Sequence, residues 1–255
     1  SQWDPEAAIP WDAPADHPPE VEDALVQIMT YLVENETVAL LVPARFLGRI
    51  HPHFREVMQL LAIQAADEAR HIEVFTRRAL LRRPSLALSA SGGQHSLKTL
   101  LDEPDFALAF FLLSVLGEGT FLSLLWFIHE HAPDEATRVL TRLAAQDEAR
   151  HVAFGMAHIR RHLSRDPGLE SRLIQAVRRR HDVLANTAGL NEEVFDALVV
   201  LAAGSWAPEA IGRGFEAVVA LNRSMGDARR RRLQKLGFHE ELAGELSALH
   251  TRNFM

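Results

Sequence analysis

Two five-residue strings in this chain are identical, Asp67-Glu68-Ala69-Arg70-His71 and Asp147-Glu148-Ala149-Arg150-His151. In each, a Glu and a His stand three apart, which on a helix puts both side chains on one face, one turn apart. A carboxylate and an imidazole placed this way can ligate the same metal ion, or they can form an ordinary solvated ion pair on a surface helix. The surroundings of each string separate the two readings. Glu36 precedes the first string across 30 intervening residues and Glu118 precedes the second across 28, each interval being about the path up one helix and back down the next.

Both preceding glutamates stand in apolar company. Met29, Leu32, Val33, Glu36, Leu40 and Leu47 fall on one helical stripe, while Glu34 points the other way with Gln27, Thr30 and Arg45 and is expected to be solvated. The run Phe106 to Phe127 carries a single charge, Glu118. A carboxylate inside an apolar helix is costly unless it is protonated, paired or bound to metal. Glu36, Glu68 with His71, Glu118, and Glu148 with His151 add up to four carboxylates and two imidazoles, the donor set of a dinuclear iron or manganese carboxylate site. Without cations the four carboxylates would repel one another, and their charge balances that of two divalent ions.

Helices must position these groups. Apolar periodicity predicts helices over about 20–47, 53–82, 104–130 and 134–163, then over about 168–187, 191–203 and 207–247, the last broken at Gly237. Pro43 is expected to kink the first helix or end it early, and the stretch around Ser89 to Gly93 reads as a crossover loop between helix pairs. Residues 1–21, with Pro5, Pro10, Pro14, Pro18 and Pro19, read as an extended arm that Trp3 and Trp11 pin to the body. The expected fold class is all-α: a ferritin-like four-helix bundle over about 22–165 with an appended C-terminal helical layer over about 168–250, in a single domain from 22 to 255.

Composition narrows the chemistry further. The 255 residues include no cysteine, which removes thiolate metal sites, iron–sulfur clusters and thiol nucleophiles, so any metal is held by oxygen and nitrogen. A net charge of −7 gives no broad footprint for nucleic acid, and the run Arg229 to Arg232 is expected to be a solvated helix face. No stretch reaches the roughly 18 uninterrupted apolar residues of a membrane span, and the expected setting is cytoplasmic, without a membrane partner. The apolar helical surface suits a homodimer.

The two Glu, each followed about thirty residues later by Asp-Glu-x-Arg-His, resemble the bacterial dinuclear-iron oxygenases, a group that includes the p-aminobenzoate N-oxygenase family and the hydroxylases of multicomponent monooxygenases. The resemblance covers residues 25 to 163. It implies that Glu36, Glu68, His71, Glu118, Glu148 and His151 are iron ligands. It also implies that Asp67 and Asp147 each accept a hydrogen bond from the His of the opposite copy, with Arg70 and Arg150 neutralising them. The chain departs from its better-known relatives at three places. Arylamine N-oxygenases have a further His where Ala144 stands, with Gln64 at the matching place in the first copy. Monooxygenase hydroxylases have a Thr where Leu122 stands. The only tyrosine, Tyr31, is out of place for radical storage.

What the resemblance implies is a non-haem di-iron oxygenase that activates O2 for N-oxygenation or hydroxylation of a small organic substrate, in secondary metabolism. Its cofactors would be two iron ions, or manganese with iron, with O2 as co-substrate. An electron donor, a reductase or ferredoxin, would be its partner. Phe111, Val115, Phe121 and Leu122 would supply a dry apolar pocket. Two other classes stay open on the residues alone. One is an iron-handling ferroxidase or storage protein, and the other is a metal-free helical scaffold. His181, beside Arg178 to Arg180, is the one further histidine with a place near the bundle.

Overall fold

The computed structural model describes residues 3–88, 91–184 and 192–250, and within them there are helices and no strands. α1 (Pro5–Ala8) is capped by Asp4, whose carboxylate accepts from the amides of Glu6 and Ala7. α2 (Pro19–Leu47) starts on a proline, where the missing amide is no loss, and carries acidic residues in its first turn. It runs on through Pro43, contrary to the expected kink or early stop. That proline stands four residues from the helix end, so one hydrogen bond is lost while Val42, Pro43 and Phe46 remain buried.

α3 (Arg55–Leu80) carries the first repeated string, and α4 (Ser91–Leu101) follows. A helix therefore occupies ground read as crossover loop. Gly92 and Gly93 masked the signal, whereas Leu97 and Leu100 are buried and give the helix an inward face. The expected third helix is present in three parts. These are α5 (Phe106–Phe110), a π-helical segment over Phe111–Glu118, and α6 (Gly119–Glu130). α7 (Glu135–Leu163) carries the second string. α8 (Leu169–Leu184), α9 (Glu192–Ala203), α10 (Pro208–Lys235) and α11 (Glu240–His250) complete the chain. Gly237, at φ +106°, makes the expected break between the last two, in a backbone region that side chains rarely tolerate. The expected continuation past Leu184 lies outside the described residues.

The chain divides into two compact units. The first comprises Ser1–Ser89, Ile128–Ala144 and Glu192–Phe215. Here α2 packs on α3 and α9 over a core that includes Leu25, Ile28, Leu32, Leu61, Phe75 and Leu198. Buried at its centre, Arg78 donates to both carboxylate oxygens of Glu22 at 2.8 and 3.0 Å, to Asp134 at 2.5 Å and to the Thr137 hydroxyl at 2.8 Å. His17 reaches the same Glu22 at 2.6 Å. This network ties the arm, α2, α3 and the start of α7 through one guanidinium.

The second unit comprises Ala90–Phe127, Ala145–Asn191 and Glu216–Met255. α8 lies against α4, α5, the π segment and α11, and Phe110, Phe111, Val115, Leu116, Leu173 and Leu246 are fully buried or nearly so. Arg180 of α8, also buried, donates to Thr99 and Ser96 of α4 at 2.8 and 2.9 Å. Two stretches, Pro19–Leu47 and Phe106–Glu130, are by length and composition apolar enough to cross a membrane, though neither is uninterrupted. Inside the fold 67% and 89% of their most apolar windows are buried, which is the use the fold makes of that apolarity.

Burial pushes the Glu22 carboxyl up, but Arg78 and His17 together outweigh it, and Glu22 titrates below its ordinary 4.5. Asp134, under the same burial but held by Arg78 and Thr137, titrates below 3.8. Both shifts are downward, so this stabilisation is complete above the ordinary carboxylate range and is lost as pH falls through the lowered values. Replacing Arg78 with Met should cost about 3–5 kcal/mol at pH 7, because two buried carboxylates lose their cation. Urea unfolding at pH 7 and below pH 4 should show the difference between the two proteins shrinking in acid.

Candidate metal centre

The first unit brings three of the expected ligands together. Glu36 projects from α2 and Glu68 and His71 from α3, and they are 2%, 0% and 0% exposed. His71 Nδ1 lies 3.1 Å from Glu68 Oε2 and 3.7 Å from Glu36 Oε2. One donor atom from each of the three falls within 4.8 Å of the others. Helical phase selects Glu36 over Glu34, which is only half-buried; burial raises the Glu34 carboxyl above its ordinary 4.5, so it is less solvated than its phase suggested.

The second unit holds the matching triad, Glu118 at the end of the π segment with Glu148 and His151 on α7. They are 5%, 1% and 4% exposed. His151 Nδ1 is 3.6 Å from Glu148 Oε2, and donor atoms of the three again lie within 4.8 Å of one another. Close approach of the π segment to α7 is set by Gly155, one turn beyond His151. A Cβ there would stand 2.5 Å from the Cβ of Ser114.

Periodicity alone gives no sign of what holds Glu118. A π segment has i→i+5 hydrogen bonds and occurs mostly as short insertions at functional sites. Around this one, Arg232 of α10 donates from Nε to the Val115 carbonyl at 2.8 Å and lies over Gly119, where a Cβ would collide with the guanidinium. Arg229, one turn earlier, donates to the Thr120 hydroxyl at 3.2 and 3.3 Å and to the Ser247 carbonyl at 2.8 Å. The basic run Arg229 to Arg232 is therefore not a solvated face throughout. Arg230 and Arg231 are exposed, but Arg229 is 1% exposed and Arg232 half-buried. Burial, with repulsion from Arg232 and Arg180, lowers the Arg229 guanidinium to about 9, and burial with Arg231 lowers Arg232 to about 10.

Outside the triads, Asp67 and Asp147 are each 1% exposed and each is paired with the arginine three residues on. Arg70 donates to Asp67 at 2.5 Å and Arg150 makes the equivalent short contact with Asp147. Gln64 and Ala144, each one turn before its string's Glu, are both buried. His181 on α8 lies 3.5 Å from the exposed Asp182 and belongs to neither triad. Sequence reasoning gave Trp3 only a role in pinning the arm, yet its ring stacks on that of His71, with centroids 6.4 Å apart and planes at 16°.

The donors fit a hard or borderline cation. Each triad offers two carboxylates and one imidazole and no sulfur, which suits iron or manganese.

No protein-family model and no curated protein matches the sequence. Among solved structures the chain is similar to "Protein 19 with aldehyde deformylating oxidase activity" from Synechococcus. The identity is 16% and the TM-score 0.61, over 90% of this chain and 96% of that one. Likeness at that identity establishes the fold, which is all-α and ferritin-like.

Gly155→Ala should lower stability by about 1–3 kcal/mol, the usual cost of an overfilled contact. Adding Ser114→Gly removes the opposing Cβ. In a double-mutant cycle read by urea unfolding, the pair should therefore be less destabilised than the sum of the single changes.

Proposed function

We propose that this chain is a non-haem dinuclear iron oxygenase that uses O2 to oxidise a small organic substrate, by N-oxygenation or hydroxylation. The observation that carries the reading is the pair of buried Glu/Glu/His triads, one in each unit, built on the same repeated string. On this reading Glu36, Glu68, His71, Glu118, Glu148 and His151 are the ligands of two ions. Iron held by these donors would supply redox chemistry toward O2, and manganese in one position is the variant to test against it.

The chain's own residues do the rest. The four carboxylates would balance the charge of two divalent cations. Asp67 and Asp147 fix imidazole tautomers by accepting the ring N–H, and Arg70 and Arg150 hold those carboxylates in place. Phe111 and Val115, both fully buried, keep water from the Glu118 side. Inserting one oxygen atom of O2 and releasing the other as water takes two electrons and two protons, so a reductase or ferredoxin is required as donor. The Synechococcus protein of the same fold has aldehyde deformylating oxidase activity by its description, which supports O2 chemistry on this scaffold and adds aldehydes to the substrates worth testing.

Metal analysis should find about two iron ions per chain. His71→Ala or Glu148→Ala should each drop that below one, and Glu34→Ala should leave it near the wild-type value. Less than one ion in the wild type would overturn the dinuclear reading. Chemically reduced protein mixed with O2 and a panel of arylamines, aromatics and aldehydes should yield an oxidised organic product. Iron turnover with mineral growth and no such product would assign the chain to iron storage instead.

A further inference from the structure

The N-terminal arm lies along α3, attached at several points. Glu6 pairs with Arg77, and the same guanidinium sits 4.2 Å from the centre of the Trp11 ring. Trp11 in turn donates to the Pro5 carbonyl at 2.9 Å, and Arg82 donates to the Ala15 carbonyl at 2.7 Å. Ile9 and Trp11 are 3% and 8% exposed, so the arm is packed into its unit. Its far end places Trp3 against His71, with the guanidinium carbon of Arg70 4.6 Å from the Trp3 ring centre. Trp3 itself is part-exposed, whereas His71 is fully buried.

We propose that Trp3 is a positioning residue of the metal centre, and that the arm is a strap whose hold on α3 governs how fast metal leaves His71. This rests on the reading of His71 as a ligand. A ligating imidazole is effective when its plane is fixed, and groups that fix it commonly alter metal affinity by about 10–100-fold. Asp67 is tied to Arg70, Arg70 faces Trp3, and Trp3 parallels His71, so a continuous series of contacts joins Asp67 to His71 through the arm. Moving Trp3 away would free the ring to rotate and open a route for water and chelator to the first triad. The strap's other attachments meet the chain further on, at Arg77 of α3 and at Arg82 just after it, and neither arginine touches the triad donors.

The test uses the full chain loaded with Co(II), whose visible bands report coordination, and follows cobalt loss to excess EDTA. Trp3→Ala should release cobalt about tenfold faster than wild type, and Trp3→Phe, which keeps a flat ring, should stay within about threefold of it. Glu6→Ala, at an exposed side chain that cannot threaten the core, should also accelerate release by weakening the strap. Cobalt loading should quench a share of the tryptophan emission that is missing in Trp3→Phe. Release from Trp3→Ala at the wild-type rate would overturn the positioning role, and an unchanged rate in Glu6→Ala would overturn the strap. Failure of the wild type to bind cobalt would instead remove the ligand reading beneath both.

Discussion

A carboxylate taken out of water has to meet positive charge, and this requirement organises both units. Glu22 and Asp134 meet it in Arg78, Asp67 in Arg70 and Asp147 in Arg150. Glu36, Glu68, Glu118 and Glu148 are as deeply buried, and each shares its triad with a single imidazole. A histidine supplies at most one unit of charge, and a neutral one supplies none, so a Glu/Glu/His triad is a donor set suited to a divalent cation. In a dinuclear centre, two divalent cations would complete the balance. The repeated string then combines two different solutions within five residues, an internal ion pair for the Asp and an external ion for the Glu.

The second unit uses buried cations in the opposite manner. Arg180, Arg229 and Arg232 direct their N–H groups at hydroxyls and backbone carbonyls, from Ser96 and Thr99 to Val115, Thr120 and Ser247. A guanidinium is weakly hydrated and presents five donors in a rigid fork, so it can act as a clamp between helices. The lowered Arg229 and Arg232 values show that desolvation is felt there. What the clamp secures is the stretch from Val115 to Thr120, with Glu118 at its middle. The C-terminal helices thereby support one half of the candidate site, although they contribute no donor to either triad.

The parts legible in the sequence are those that follow a single period. The apolar stripe of α2 separates Glu36 from Glu34, the uniform apolarity of residues 106–127 marks buried helix, and Gly237 marks a break. Features that depend on a partner distant in sequence were not legible. α4 carries Gly92 and Gly93 in its first turn, which locally argue for a loop, while the burial of Leu97 and Leu100 gives the helix an inward face. Four consecutive arginines look solvated until two of them find acceptors more than a hundred residues away. Trp3 stands 68 positions from His71, and no local pattern could join them.

The π segment has a consequence for how this helix tolerates change in length. Its turns are wider than α turns, so each residue rotates by less than the roughly 100° of an α-helix. Phe106–Phe110 and Gly119–Glu130 therefore keep separate angular settings along one continuous rod. Losing one residue between 111 and 118 could tighten the segment to α geometry and leave the rod intact, yet it would turn Glu118 away from its present bearing relative to the upstream aromatics. The segment works as a vernier, setting the bearing of a single carboxylate separately from the packing that makes the helix stable.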